Sequence, residues 1–255
     1  FVTVAIVYSL FSALVGYYTG DKVALFSSGA RAVTAQEAPQ LVRMVENLCI
    51  TVGMPMPKIH VIDDSSINAF ATGRDPEHAS IAVTTGAMQK LENEELEGVL
   101  AHELSHVRNY DIRVMTVVIV LVGIVSIMAD MIFRVSLRGG RRRDNDASGP
   151  LLLFGLALMI FAPLVAELIK LAVSRKREFL ADASGALITR FPEGLARALE
   201  KIERDGGRLQ RASAATAHLY IANPFRAGAF TALFSTHPPV KDRIEALRKM
   251  ASLPS

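Results

Sequence analysis

The chain has 255 residues, is 51% apolar and carries a formal charge of only +3. Its mean hydropathy of +0.31 is high for a purely soluble domain, and its modest charge, with arginines gathered beside apolar stretches, points to lipid headgroups and not to nucleic acid. Cys49 is the single cysteine, which excludes an intrachain disulfide and fits a core thiol in a reducing compartment.

Three uncharged or nearly uncharged stretches account for the apolar excess: Phe1 to Thr19, Val114 to Phe133 and Leu151 to Val173. Each is long enough to cross a hydrocarbon layer of about 30 Å as a helix. The first stretch lacks a basic leader and is read as a membrane helix, not a cleaved signal. The chain opens on Phe1 with no initiator Met, so further N-terminal residues are expected. The expected organisation is a membrane helix at 1–20, a first part of a catalytic domain at 21–113, a membrane hairpin at 114–173 with a polar loop at 134–150, and a second catalytic part at 174–255.

After the first apolar stretch, the pattern Leu41, Val45, Leu48, Cys49, Val52 predicts a helix from Gln36 to Val52, with Thr34 as N-cap and Gly53 as the stop. Lys58 to Ile62, Asn68 to Gly73 and Ala79 to Thr84 read as three short strands of a small antiparallel sheet. A helix starting at Asn93 follows, with Glu94, Glu95 and Glu97 near its positive end and Leu96, Val99, Leu100, Leu104 and Val107 at helical spacing. The third apolar stretch runs on without a break signal into Ser174 to Ile188. Pro192, Gly206-Gly207 and Pro224 divide the remainder, and a last helix runs from Pro239 to Met250.

The helix from Asn93 carries His102-Glu-Leu-Ser-His106. Histidines four apart lie on one helix face and can grip one metal ion, zinc being the usual occupant. Glu103 is placed to take a proton from the attacking water. A zinc peptidase needs a third protein ligand, and Glu178 is the best candidate. His106 lies about eight residues before the second apolar stretch and Glu178 about five after the third. If those stretches form a hairpin, both residues return to the same height, roughly 8–12 Å above one membrane face. The competing reading is a surface glutamate paired with Arg175 or Arg177. Asp182, one turn beyond Glu178, has two readings: acceptor for the free N–H of a ligating histidine, or a solvated helix carboxylate. His60, His78 and His218 read as structural.

With Arg177-Glu-Phe-Leu-Ala-Asp182, Asn68-Ala-Phe-Ala-Thr-Gly73 and Thr236-His-Pro-Pro239 alongside the histidine motif, the chain resembles the HtpX-type membrane zinc metalloproteases, relatives of the yeast-type CAAX prenyl protease. The resemblance covers nearly the whole chain. It implies an α+β membrane protein, a mostly helical zincin-like domain with a small sheet and transmembrane helices. It implies one zinc ion on His102, His106 and Glu178, with Glu103 as general base and acid and with His237 and Arg243 steadying the oxyanion. It also implies that Asn68, Ala69 and Phe70 border the substrate cleft. The expected partners are polypeptides, in particular unfolded membrane proteins, and the lipid bilayer. The expected location is a bacterial plasma membrane with the catalytic domain facing the cytoplasm. CAAX-type processing and a non-catalytic zinc scaffold are the alternatives; retention of Glu103 disfavours the scaffold.

Overall fold

The computed structural model describes residues 17–117, 175–206, 219–221 and 238–252. The expected membrane spans fall almost entirely outside these residues. Among the described residues, no helix is long and apolar enough to cross a membrane.

The elements in chain order are β1 (Arg31–Ala32), α1 (Pro39–Val52), β2 (Lys58–Ile62), β3 (Ala69–Gly73), β4 (Ala79–Thr84), α2 (Thr85–Lys90), α3 (Asn93–Arg108), α4 (Arg175–Thr189), α5 (Pro192–Asp205) and α6 (Val240–Ala251). Residues 17–28 and 111–117 are also helical.

Strands β2, β3 and β4 lie where their alternating and β-branched residues predict. The sheet is mixed, however, not antiparallel. Its order is β1-β2-β4-β3, with β2 and β4 parallel and the β1–β2 and β3–β4 pairs antiparallel. The cause is that β4 returns between β2 and β3. All six of its residues are buried, as a central strand requires. That arrangement leaves β3 on the edge beside α3.

Helix α1 begins three residues later than the apolar pattern predicts. Pro39 takes the first helical position and drives Ala38 out of the helical region, to φ −137° and ψ 64°. Thr34 caps nothing in α1; its N–H and hydroxyl bind the Glu37 carboxylate in a separate turn. Helix α3 starts at Asn93, as expected, and is capped by Glu92. Glu92 and Glu95 exchange side-chain and backbone hydrogen bonds in a capping box, and buried Glu95 also meets Lys201 Nζ at 2.7 Å. Pro239 is the cap of α6, one residue before the helix starts.

One face of the sheet packs with Ile59, Ala69, Ala71, Ile81 and Val83 against the apolar faces of α1, α3 and α5. The other carries Ile62, Phe70 and Ala82 against Ala24, Met115 and Tyr220. Helices α4 and α5 both lie on α3. Gly98 permits the second contact, since a Cβ there would come within 2.7 Å of the Leu195 nitrogen. Helix α3, enclosed on all these sides, is the central helix of the described residues.

Candidate metal centre

Helix α3 presents His102, Glu103 and His106 in its enclosed middle, each almost wholly buried. Helix α4 crosses it with Glu178, Ala181, Asp182 and Gly185 turned inward, a spacing that places all four on one face. Gly185 sets how close the helices come: a Cβ there would stand 3.0 Å from the His102 nitrogen. Glu178 lies about two turns earlier on the same stripe, so it is brought over the histidine pair.

The three candidate ligands form one cluster. The two histidine Nε2 atoms are 3.2 Å apart. Glu178 Oε1 lies 3.6 Å from His106 Nε2, and Oε2 lies 3.8 Å from His102 Nε2. Bonds of about 2.0–2.1 Å at tetrahedral angles require donor separations of about 3.3 Å. Two imidazole nitrogens and a carboxylate at these spacings therefore fit zinc in both donor type and separation. Among the described residues this trio is a group able to hold a metal ion.

The rings are also oriented as ligands. His106 Nδ1 lies 2.9 Å from Asp111 Oδ2, and His102 Nδ1 lies 3.0 Å from Asp182 Oδ1. A carboxylate only accepts, so His106 Nδ1 donates to Asp111, while His102 meets Asp182 as a close charge contact outside hydrogen-bond geometry; a neutral ring in either place would offer its Nε2 to the cluster. Asp182 is thus the histidine partner and not a solvated carboxylate. Arg243 holds it with two parallel hydrogen bonds, Nε to Oδ2 at 2.8 Å and Nη2 to Oδ1 at 2.7 Å. Arg243 is itself 1% exposed, and its Nη1 reaches the Ile221 carbonyl at 3.4 Å and Glu178 Oε2 at 3.7 Å.

Burial and charge act in opposition here. Burial pushes the Glu103 carboxyl up, and the neighbouring histidines offset this only in part. Burial alone would lower His106, but the Asp111 hydrogen bond and the charges of Glu178 and Glu103 push it up to about 9. Burial would raise Asp182, yet the Arg243 guanidinium holds its carboxyl well below the usual carboxylate range.

Glu103 faces β3: its Oε2 accepts the Ala71 N–H at 2.8 Å. The same strand edge gives the Ala69 carbonyl to the Ile221 N–H at 3.1 Å and the Gly73 carbonyl to the Thr116 hydroxyl at 2.7 Å. Asn68, Ala69 and Phe70 lie at the head of this strand and are buried. Asn68 Oδ1 accepts the Ala69 N–H, while Phe70 turns to the opposite sheet face and meets Tyr220 edge-on at 5.1 Å. His237 lies outside the described residues.

Glu178 is brought beside His102 and His106, as one group that could hold a metal ion. Its alternative partner Arg177 goes elsewhere, to Asp111. Arg243 is brought to the cluster, but with its guanidinium engaged by Asp182. Asp111, the Ala71 N–H and the Ile221 strap were not singled out by sequence reasoning. The only signal for Asp111 was its place five residues after His106, inside a charged run.

The model of peptidase family M48 matches residues 35–251. A protease HtpX homolog of Tropheryma whipplei (strain TW08/27) is 48% identical over 244 residues, covering 94% of this chain and 82% of that protein. One from Dictyoglomus turgidum is 45% identical over 249 residues, covering 98% and 82%. The crystal structure of S. mikatae Ste24p shares the fold, with a TM-score of 0.54 at 18% identity over 96% of this chain and 57% of that one. With the family model matching most of its length, relatives near half identical and a group able to hold a metal ion assembled on α3 and α4, the chain belongs to peptidase family M48 and is a metalloprotease.

Proposed function

We propose that this protein is a membrane-anchored zinc endopeptidase that cleaves misfolded or damaged membrane proteins beside the cytoplasmic face of a bacterial plasma membrane. The observation that carries the reading is the buried trio His102, His106 and Glu178 with Glu103 next to it. The substrate class follows the likeness to HtpX-type proteases. Anchoring is supported by the apolar stretches and by the Arg177–Asp111 ion pair, which joins the two ends of the 114–173 segment as a hairpin would.

Zinc held by the trio would supply the positive charge that acidifies water and polarises a carbonyl. The chain's own residues do the rest. Glu103 takes the proton of the attacking water and delivers it to the leaving amine nitrogen. Its raised pKa suits a group that must both accept and donate near neutral pH. The Ala71 N–H fixes one Glu103 oxygen and so orients the carboxylate. Asp182 and Arg243 keep His102 in the tautomer that offers Nε2. The oxyanion role implied for Arg243 gives way to this positioning role, since two of its nitrogens are committed to Asp182. His237 remains the proposed oxyanion donor. Asn68, Ala69 and Phe70 contribute as the strand against which an extended peptide is laid, which requires the Ile221 N–H to release the Ala69 carbonyl.

The test compares the zinc-loaded full chain with Glu103→Gln in detergent and in vesicles, on casein and on an unfolded membrane protein. The variant is expected to keep its zinc and lose cleavage by about 10²–10⁴-fold or more. Cleavage at the wild-type rate would overturn the mechanism.

A further inference from the structure

Two buried aspartates serve the two histidines, and only one of them belongs to the ligand helix. Asp182 lies on α4, one turn after Glu178. Asp111 lies beyond the end of α3 and is 3% exposed, with Oδ2 at 2.9 Å from His106 Nδ1 and Oδ1 paired with Arg177 Nη1. We propose that Asp111 and Arg177 form a second orienting arm, which fixes the His106 ring for metal binding as Asp182 and Arg243 fix His102. The proposal rests on the zinc reading given above.

The backbone is built for this contact. In a continuous helix a residue five positions after His106 would point about 140° away from it. Helix α3 instead stops at Asn109, and Tyr110 takes a left-handed conformation at φ 59°. A bulky residue rarely adopts this conformation without compensation. The reversal brings Asp111 back under His106, and the chain resumes as helix over residues 111–117. The strained residue is thus the element that creates the arm.

The arms share a chemical order, histidine to aspartate to arginine, but differ in setting. Arg243 is wholly buried and comes from α6. The Arg177 side chain is 40% exposed and immediately precedes the ligand Glu178 on α4. Through Arg177, the helix that supplies the third ligand is tied to the carboxylate behind the second. Asp111 and Arg177 are positioning residues: they touch neither substrate nor metal and act through His106.

Zinc affinity and zinc release are measured by chelator competition on the full chain in detergent, for Asp111→Ala, Asp111→Asn, Arg177→Ala and the double variant Asp111→Ala with Arg177→Ala. Asp182→Ala and Glu178→Ala serve as references. Absorption bands of the cobalt-substituted proteins report ligand geometry. Asp111→Ala is expected to weaken zinc by about 10–100-fold and to shift the cobalt bands. Asp111→Asn, which conserves volume, should weaken zinc less and shift the bands in the same sense; it decides the matter if the alanine variant does not fold. Arg177→Ala should cost less again and add nothing to Asp111→Ala. Wild-type affinity and spectra in both Asp111 variants, with Asp182→Ala impaired, would overturn the second arm and leave the metal site standing. Failure of the wild type to bind zinc, or indifference of zinc to Glu178→Ala, would overturn the metal site and the arm with it.

Discussion

Arg243→Met separates two roles for one residue. As an oxyanion donor, Arg243 would matter to the rate alone. As the partner of Asp182, it matters to folding and to metal binding first. The substitution keeps most of the volume and removes the guanidinium. It leaves Asp182, 2% exposed, without its two parallel hydrogen bonds, and removes the guanidinium 3.7 Å from Glu178. Breaking a buried pair by deleting one partner costs about 3–5 kcal/mol. At about 2–4 °C per kcal/mol for a chain of this size, the melting temperature of the metal-free protein should fall by about 6–20 °C. His102 also loses the group that steadies its orienting carboxylate, so zinc affinity should drop by about 10–100-fold. A pure oxyanion donor would instead lower kcat by about 10²–10³-fold at unchanged stability and affinity. Thermal unfolding with a chelator in a Glu103→Gln background, zinc competition, and peptide hydrolysis in the active background read the three quantities separately. Adding Asp182→Leu to Arg243→Met should restore much of the melting temperature and none of the zinc affinity, because an apolar pair no longer buries a lone charge. If Arg243→Met melts within about 1 °C of the parent and binds zinc normally yet no longer hydrolyses peptide, the clamp argument is wrong.

Three further outcomes are expected. In the metal-free protein the folded pKa of His106, about 9, lies above the ordinary histidine value, so protonated His106 stabilises the fold fully below about pH 6.5, and this contribution disappears as pH rises through about 9. Zinc must displace that proton, so its affinity should rise about tenfold per pH unit between about 7 and 9 and then level, as chelator competition across that range will show. Gly98→Ala sets a methyl 2.7 Å from the Leu195 backbone and should lower the melting temperature while leaving zinc affinity intact; Gly185→Ala, at 3.0 Å from His102, should weaken zinc more than it destabilises the fold. Glu95→Ala removes half of the α3 capping box and the partner of Lys201, and should cost about 1–2 kcal/mol in denaturant titration with the site unaltered.

Ligands and orienting groups differ in how far they could be read in advance, and the difference is physical. His102 and His106 were legible because one ion needs two imidazoles on one helix face, and that demand writes a four-residue spacing into the chain. Glu178 was singled out from the height that a hairpin of the flanking apolar stretches would give it, and the structure brings it beside the histidine pair. The strands were legible from their alternation, whereas the parallel β2–β4 pairing was not, since neighbour order in a sheet leaves no local mark. Pro39 could have corrected the start of α1, because proline excludes the helical conformation one residue before itself. Asp182 kept two readings until its partner was known, and Arg243 is separated from it by a long stretch of chain. Asp111 was the hardest case. Helical periodicity placed it off the His106 face, and only the left-handed turn at Tyr110, a residue with no intrinsic preference for that conformation, brings it back. A group that holds a ligand need only be near it in space. Its position in sequence is free wherever the backbone can be bent to supply the contact, so such groups are found by asking where each ligand's second nitrogen points.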